Sequence, residues 1–176
     1  MKSQKILGLL AVVVLLVVGG ALVLQGNDRG PTAPLPDNSA GAQLLPDLTF
    51  NDYQGRPVRL REFKTPLIIN AWASWCPFCV KELPDFSAVQ REFGDQVKII
   101  AINRVESLEV ARKFSDQLGL TEALLMLLNP RDNFYQAIGG FSMPETIFVD
   151  RDGVIVDHKR GPMESAEIKQ RLAKIL

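Results

Sequence analysis

The stretch PLIINAWA, residues 66–73, is an apolar run of strand length. Such a run fits a central strand covered on both faces, because a strand with one wet face alternates instead. Within a few residues the period changes. Leu83, Phe86, Val89 and Phe93 recur at three, three and four residues, one face of a helix, and Gly94 supplies its stop. A buried strand that runs straight into a helix demands further strands beside it. Both cysteines of the chain, Cys76 and Cys79, fall at the joint.

The remaining elements fit that demand. LPDLTFNDYQGRPVRLREF reads as two short extended runs around a turn at Tyr53 to Pro57. VKIIAIN, Val97 to Asn103, is a second buried strand. Ser107 can cap a helix with Val110, Phe114 and Leu118 on one face, closed by Gly119. ALLMLLN, Ala123 to Asn129, is a short strand, and a brief helix is expected at Asn133 to Ile138. ETIFVD and GVIVDHK form a hairpin through Asp152-Gly153. Ser165 to Leu176 is a last helix with Ile168, Leu172 and Ile175 facing inward. Strands alternating with helices predict an α/β domain, one mixed sheet with helices on both faces.

The first 25 residues differ. Ile6 to Leu24 carries no charge, and nineteen residues of helix span about 28 Å, close to the hydrocarbon thickness of a bilayer. Lys2 and Lys5 precede the run and by the positive-inside rule stay cytoplasmic. The run is longer than a cleaved signal's apolar core and no small-x-small site follows it, so an uncleaved signal anchor is expected over residues 1–25. A Gly-, Pro-, Asn- and Asp-rich tether then covers 26–43, and the globular domain covers 44–176. Lys+Arg and Asp+Glu are equal at 20 each, so no basic excess points to nucleic acid. One histidine, His158, excludes a histidine-rich metal site within the chain.

Cys76 at a strand-to-helix joint meets unpaired N–H groups and the positive end of the helix dipole. Both favour thiolate, the reactive form. Pro77 suits the first helical turn, where its missing N–H costs nothing. Cys79, one turn on, can attack a mixed disulfide formed on Cys76 and release the partner reduced. Two other readings compete. A stabilising bridge over so short a loop gains only about 2 kcal/mol. A zinc site lacks a second ligand pair, although a two-sulfur Cu(I) site aided by Met143 is conceivable. Trp72 is expected in the core and Trp75 at the approach, and Pro84 falls inside the helix. Met143-Pro144 precedes a strand, and the sequence leaves its isomer open.

WCPFC after an apolar strand, followed by MPETIFVD, resembles the thioredoxin superfamily. Residues 44–176 look like its membrane-tethered extracytoplasmic branch, the TlpA/ResA/DsbE (CcmG) group. The resemblance implies a thioredoxin-like fold with an N-terminal hairpin, a helix–strand insert within Ser107 to Asn129, and an N-terminal transmembrane helix. It makes Cys76 the attacking thiol, Cys79 the resolving thiol and Pro144 a cis-proline beside them, with Met143 offering backbone to a substrate chain. It sets Glu82 near the thiols, against the alternative of a solvated helix face, and Glu145 as the acid of a P-E-T motif. Ser142 departs from the glycine that DsbE-type members often carry there. The implied protein sits in the bacterial inner membrane, single-pass, its domain facing the periplasm. It needs no cofactor and takes electrons from a membrane thiol–disulfide donor. Its implied job is reduction of apocytochrome c or a haem chaperone. The alternatives are a general periplasmic reductase or oxidase and a copper-delivery module on the same cysteines.

Overall fold

The computed structural model describes residues 43–176. The expected anchor over 1–25 and the tether up to 42 lie outside the described residues. Among the described residues no helix is long and apolar enough to cross a membrane.

Seven strands form one mixed sheet. In chain order they are β1 (Thr49–Asp52), β2 (Pro57–Arg59), β3 (Leu67–Trp72), β4 (Lys98–Arg104), β5 (Leu125–Asn129), β6 (Glu145–Val149) and β7 (Ile155–Arg160). Their spatial order is β2-β1-β5-β4-β3-β6-β7. β3, β4 and β5 run parallel, while β6 is antiparallel to β3 and β1 to β5. The expected N-terminal hairpin is β1–β2, and the second hairpin is β6–β7, which turns through Gly153 at φ 80°.

The helices are α1 (Pro77–Phe93), α2 (Leu108–Gln117), α3 (Asn133–Ala137) and α4 (Ser165–Leu172). All six residues of β3 are buried, as its apolar run requires. Alternate side chains serve two cores. Ile68 and Trp72 join Leu83, Phe86 and Val89 of α1, Ala111 of α2 and Ile168 and Leu172 of α4 on one face. Ile69 and Ala71 join Phe134, Ile138 and Leu60 on the other.

The implied insert is α2 with β5, and β5 slots between β1 and β4. Ser107 caps α2, its Oγ accepting from the Val110 N–H at 3.3 Å. The buried face of α2 differs from the expected one. Val110 is 46 % exposed, while Ala111 and Ser115 are buried and Phe114 and Leu118 pack at the core's margin. Small side chains let the helix lie close to the sheet, so size alone misjudges which stripe turns inward. α4 also ends earlier than expected, at Leu172, although Ile175 beyond it is still buried.

Phe86 sits fully buried at the middle of α1, between the helix and the sheet. Phe86→Ala should cost about 3–5 kcal/mol, read as a fall in the denaturant midpoint.

Candidate active site

The site grows from the end of β3. Trp72 closes the strand, buried as expected, and Trp75 emerges 58 % exposed. The turn between them is clamped. The Cys76 N–H donates to the Ala73 carbonyl at 3.1 Å. Ser74 donates its N–H and its Oγ–H to the two oxygens of Glu106, at 2.9 and 2.5 Å, and the Asn103 amide donates to the same carboxylate at 2.6 Å. Cys76 is the N-cap of α1, extended at φ −97° and ψ 103°, and its Sγ accepts from the Cys79 N–H at 3.2 Å. Pro77 occupies the first helical position, as expected. Pro84 lies inside a helix that continues through it.

Cys76 and Cys79 are joined in a disulfide, their Cα atoms 5.3 Å apart. Cys76 is 4 % exposed and Cys79 is fully buried. Met143 packs against the core cluster that contains both sulfurs.

The Met143-Pro144 peptide is cis. Ala71 of β3 pairs with Glu145 of β6, so Pro144 reaches the level of Trp72, next to the joint that carries Cys76. The segment before it is held from below. The buried Glu145 carboxylate accepts from the Phe141 N–H at 2.6 Å and the Ser142 N–H at 2.9 Å. His158 Nε2 lies 2.9 Å from its other oxygen, and Arg160 Nε 3.4 Å from the first. Burial works against the charge on Glu145, but the two N–H groups and the His158 ring together hold its pKa below the usual value. Tyr135 donates its hydroxyl to the Ser142 carbonyl at 2.8 Å, and its ring fills the space a Cβ on Gly140 would need.

Glu82 is 1 % exposed, which removes the reading of it as a solvated helix residue. It lies three residues after Cys79 on the inward face of α1. Its Oε1 accepts from Asn70 Nδ2 at 2.7 Å and its Oε2 from the Met163 N–H at 3.0 Å. Burial pushes its pKa up to about 8, against the pull of those two donors. A cleft of about 460 Å³ opens beside it between α1 and the loop before α4, with Phe78, Lys81, Asp85, Met163 and Glu164 among its walls.

Sequence reading missed Asn70, Glu106 and Tyr135. Asn70 had a signal, a polar residue in the middle of an apolar strand. Glu106 and Tyr135 act across 32 and 7 residues and had none.

The Glu82 carboxyl makes stability depend on pH. The folded protein keeps its proton to about pH 8, whereas a free carboxyl ionises near 4.5. Between those values the native state binds more protons than the unfolded state, so stability falls as pH rises. Urea melts of Glu82→Gln should lack this share of the slope, and the variant should gain on the parent steadily from pH 5 to 8.

With the geometry described, comparison with known proteins gives one direction. The model of the AhpC/TSA family matches residues 42–158. Thiol-disulfide oxidoreductase ResA of Geobacillus thermodenitrificans is 29 % identical over 138 residues, 77 % of this chain and 78 % of the relative. Thiol:disulfide interchange protein DsbE of Allochromatium vinosum is 30 % identical over 147 residues, 81 % of this chain and 76 % of the relative. Among solved structures, a DsbE-type protein of Chlorobium tepidum superposes with a TM-score of 0.70 at 20 % identity, covering 76 % of this chain and 96 % of the other, which supports the fold. A family match over most of the chain, relatives of one activity and a Cys-x-x-Cys disulfide at a helix start lead to one conclusion: the chain belongs to the AhpC/TSA family and is a thioredoxin-like thiol–disulfide oxidoreductase.

Proposed function

We propose that this oxidoreductase is a membrane-tethered disulfide reductase of an extracytoplasmic space, acting in cytochrome c maturation on apocytochrome c or a haem-handling chaperone. The observation that carries the reading is the buried Glu82 one turn beyond the Cys76–Cys79 disulfide.

The chemistry runs as two exchanges. The Cys76 thiolate attacks a substrate disulfide, forming a mixed disulfide and releasing one substrate thiolate. The Cys79 thiol then loses its proton to the Glu82 carboxylate and attacks the Cys76 sulfur. The second substrate thiolate leaves, and the two electrons of the Cys76/Cys79 dithiol end on the substrate. Burial raises the Glu82 carboxyl to about 8, toward the range of thiols, so it takes a thiol proton at less cost than an ordinary carboxylate would. Glu82 and Pro144 thus join Cys76 and Cys79 as the working residues.

Three features favour reduction of a protein. Pro77 has no N–H, so the helix start offers Cys76 Sγ the Cys79 N–H with little else beside it. The buried Glu82 carboxyl, protonated up to about pH 8, supplies no positive charge to favour a thiolate. A poorly stabilised thiolate leaves the dithiol ready to give up electrons. Trp75 and Phe78 flank the cysteines in sequence and Phe141 lies three residues before the cis-proline, all three exposed apolar side chains suited to meeting a polypeptide. An extended substrate would lie along Met143-Pro144. The uncharged run from Ile6 to Leu24 behind Lys2 and Lys5 supports the tether and the outward-facing domain. Electrons would come from a membrane thiol–disulfide donor.

The reduction potential should lie nearer the thioredoxin value, about −270 mV, than the strong-oxidant value, about −120 mV. A value at the oxidising end would recast the protein as a disulfide-forming oxidase.

Cys79→Ala should stall as a mixed disulfide with its substrate, while Cys76→Ala should trap far less. The trapped species should include an apocytochrome c or a haem-delivery component. The protein should stay in the membrane fraction after alkaline wash. Cells lacking it should lose c-type haem, and added small thiol should partly restore it. Capture of unrelated secreted proteins alone, with normal c-type haem, would point to a general reductase.

A further inference from the structure

Asn70 sits in the middle of β3, fully buried between apolar neighbours on its strand. Its Nδ2 donates to Glu82 Oε1 at 2.7 Å and to Thr146 Oγ1 at 3.0 Å, across the strand pair. Its Oδ1 is buried and accepts nothing. A buried amide oxygen without a donor is costly, and an apolar residue of similar shape would avoid the cost. The amide group holds a donor and an acceptor at opposite sides of one rotatable bond. The orientation present suits a carboxylate, which only accepts. A protonated carboxyl has an O–H to donate, and the unused Oδ1 is the acceptor it needs. Thr146 can serve either orientation, because a hydroxyl both donates and accepts.

We propose that Asn70 is a positioning residue whose side-chain amide turns over as Glu82 gains or loses its proton, giving Nδ2 to the carboxylate and Oδ1 to the acid. The idea rests on Glu82 being the proton acceptor for Cys79. When the proton moves from Cys79 Sγ to a Glu82 oxygen, a half-turn of the amide keeps a matched partner in front of the carboxyl in both states. No net proton enters or leaves the core.

Other groups act on Glu82 without reversing with its charge. The Met163 N–H donates to Oε2 from the loop before α4. Lys159 on β7 lowers its pKa, and Asp85 on its own helix raises it. Lys81, Glu164 and Glu167 line the neighbouring cleft. Cys76 and Cys79 carry no charge while they are joined, so the oxidised protein isolates the carboxyl and the amide.

The test is an NMR titration of the oxidised full-length chain from pH 5 to 10. The Asn70 side-chain amide signals and the Glu82 carboxyl carbon should move together with one midpoint. An amide that stays fixed through the Glu82 titration overturns the proposal. A donor that stayed fixed would stabilise the carboxylate alone, so its loss in Asn70→Leu would raise the Glu82 midpoint by about one unit, a tenfold change in its ionisation constant, whereas an amide that serves both forms should leave a smaller rise. The pH profile of thiol alkylation in the reduced protein should move as little. A full-unit rise in folded Asn70→Leu therefore also overturns the proposal, and if that variant does not fold the wild-type titration decides alone. Glu82→Gln separates the two claims. If it leaves exchange at its normal rate, the role of Glu82 fails and this proposal with it. If it slows exchange while the amide stays silent, only the role of Asn70 fails.

Discussion

The hydrogen bond from the Cys79 N–H to Cys76 Sγ exists because β3 delivers the chain to that point still extended, and the helix begins at the next residue. Everything nearby maintains that abrupt change. β3 is walled in on both sides by β4 and β6 and on both faces by core. Glu106 ties down Ser74, so the turn between strand and helix is held from outside as well. The helix beyond is pinned by Leu83, Phe86 and Val89, none of which can move without opening the core. A sulfur on this joint has little freedom to drift from the helix N-terminus, and its reactivity is a property of the architecture.

Two buried carboxylates stand on opposite faces of the sheet near this joint, in opposite electrostatic states. Glu145 collects two N–H groups, a histidine and an arginine, and stays ionised. Glu82 has two donors and deep burial, and burial wins. One is a fixed anchor for the segment before Pro144. The other holds its proton up to about pH 8. Successive residues of β6 divide the duties, Glu145 turning to one face and Thr146 to the other.

Much of this was legible because the signals were local. The run at 66–73 reads as a doubly covered strand since a parallel centre leaves no wet face to alternate with. The Asp152-Gly153 pair announced its hairpin, and Ser107 its helix. What escaped depends on distant partners or on small residues. Glu82 looks like any acid on a helix until Asn70, twelve residues back, and Met163, eighty-one residues on, close over it. Ala111 and Ser115 carry too little apolar bulk to outrank Val110, yet they are the residues that α2 presents to the sheet. Glu145 was singled out by its motif, but its hold on Phe141 and Ser142 appears only once the chain has folded back.

The two edges of the sheet carry a further consequence. β2 is three residues long, begins with Pro57 and ends with Arg59, and both of those are exposed. β7 at the far edge carries Asp157, Lys159 and Arg160, with its start bonded to the Gln43 carbonyl. The chain as a whole has a formal net charge of zero, so copies meet with no general repulsion. Resistance to edge-on stacking must then be local: a proline that cannot donate at one rim, and clustered charges that would have to shed water at the other. Whatever guards this sheet against edge-on pairing therefore sits in a few residues at its two borders, apart from the residues that build the redox centre.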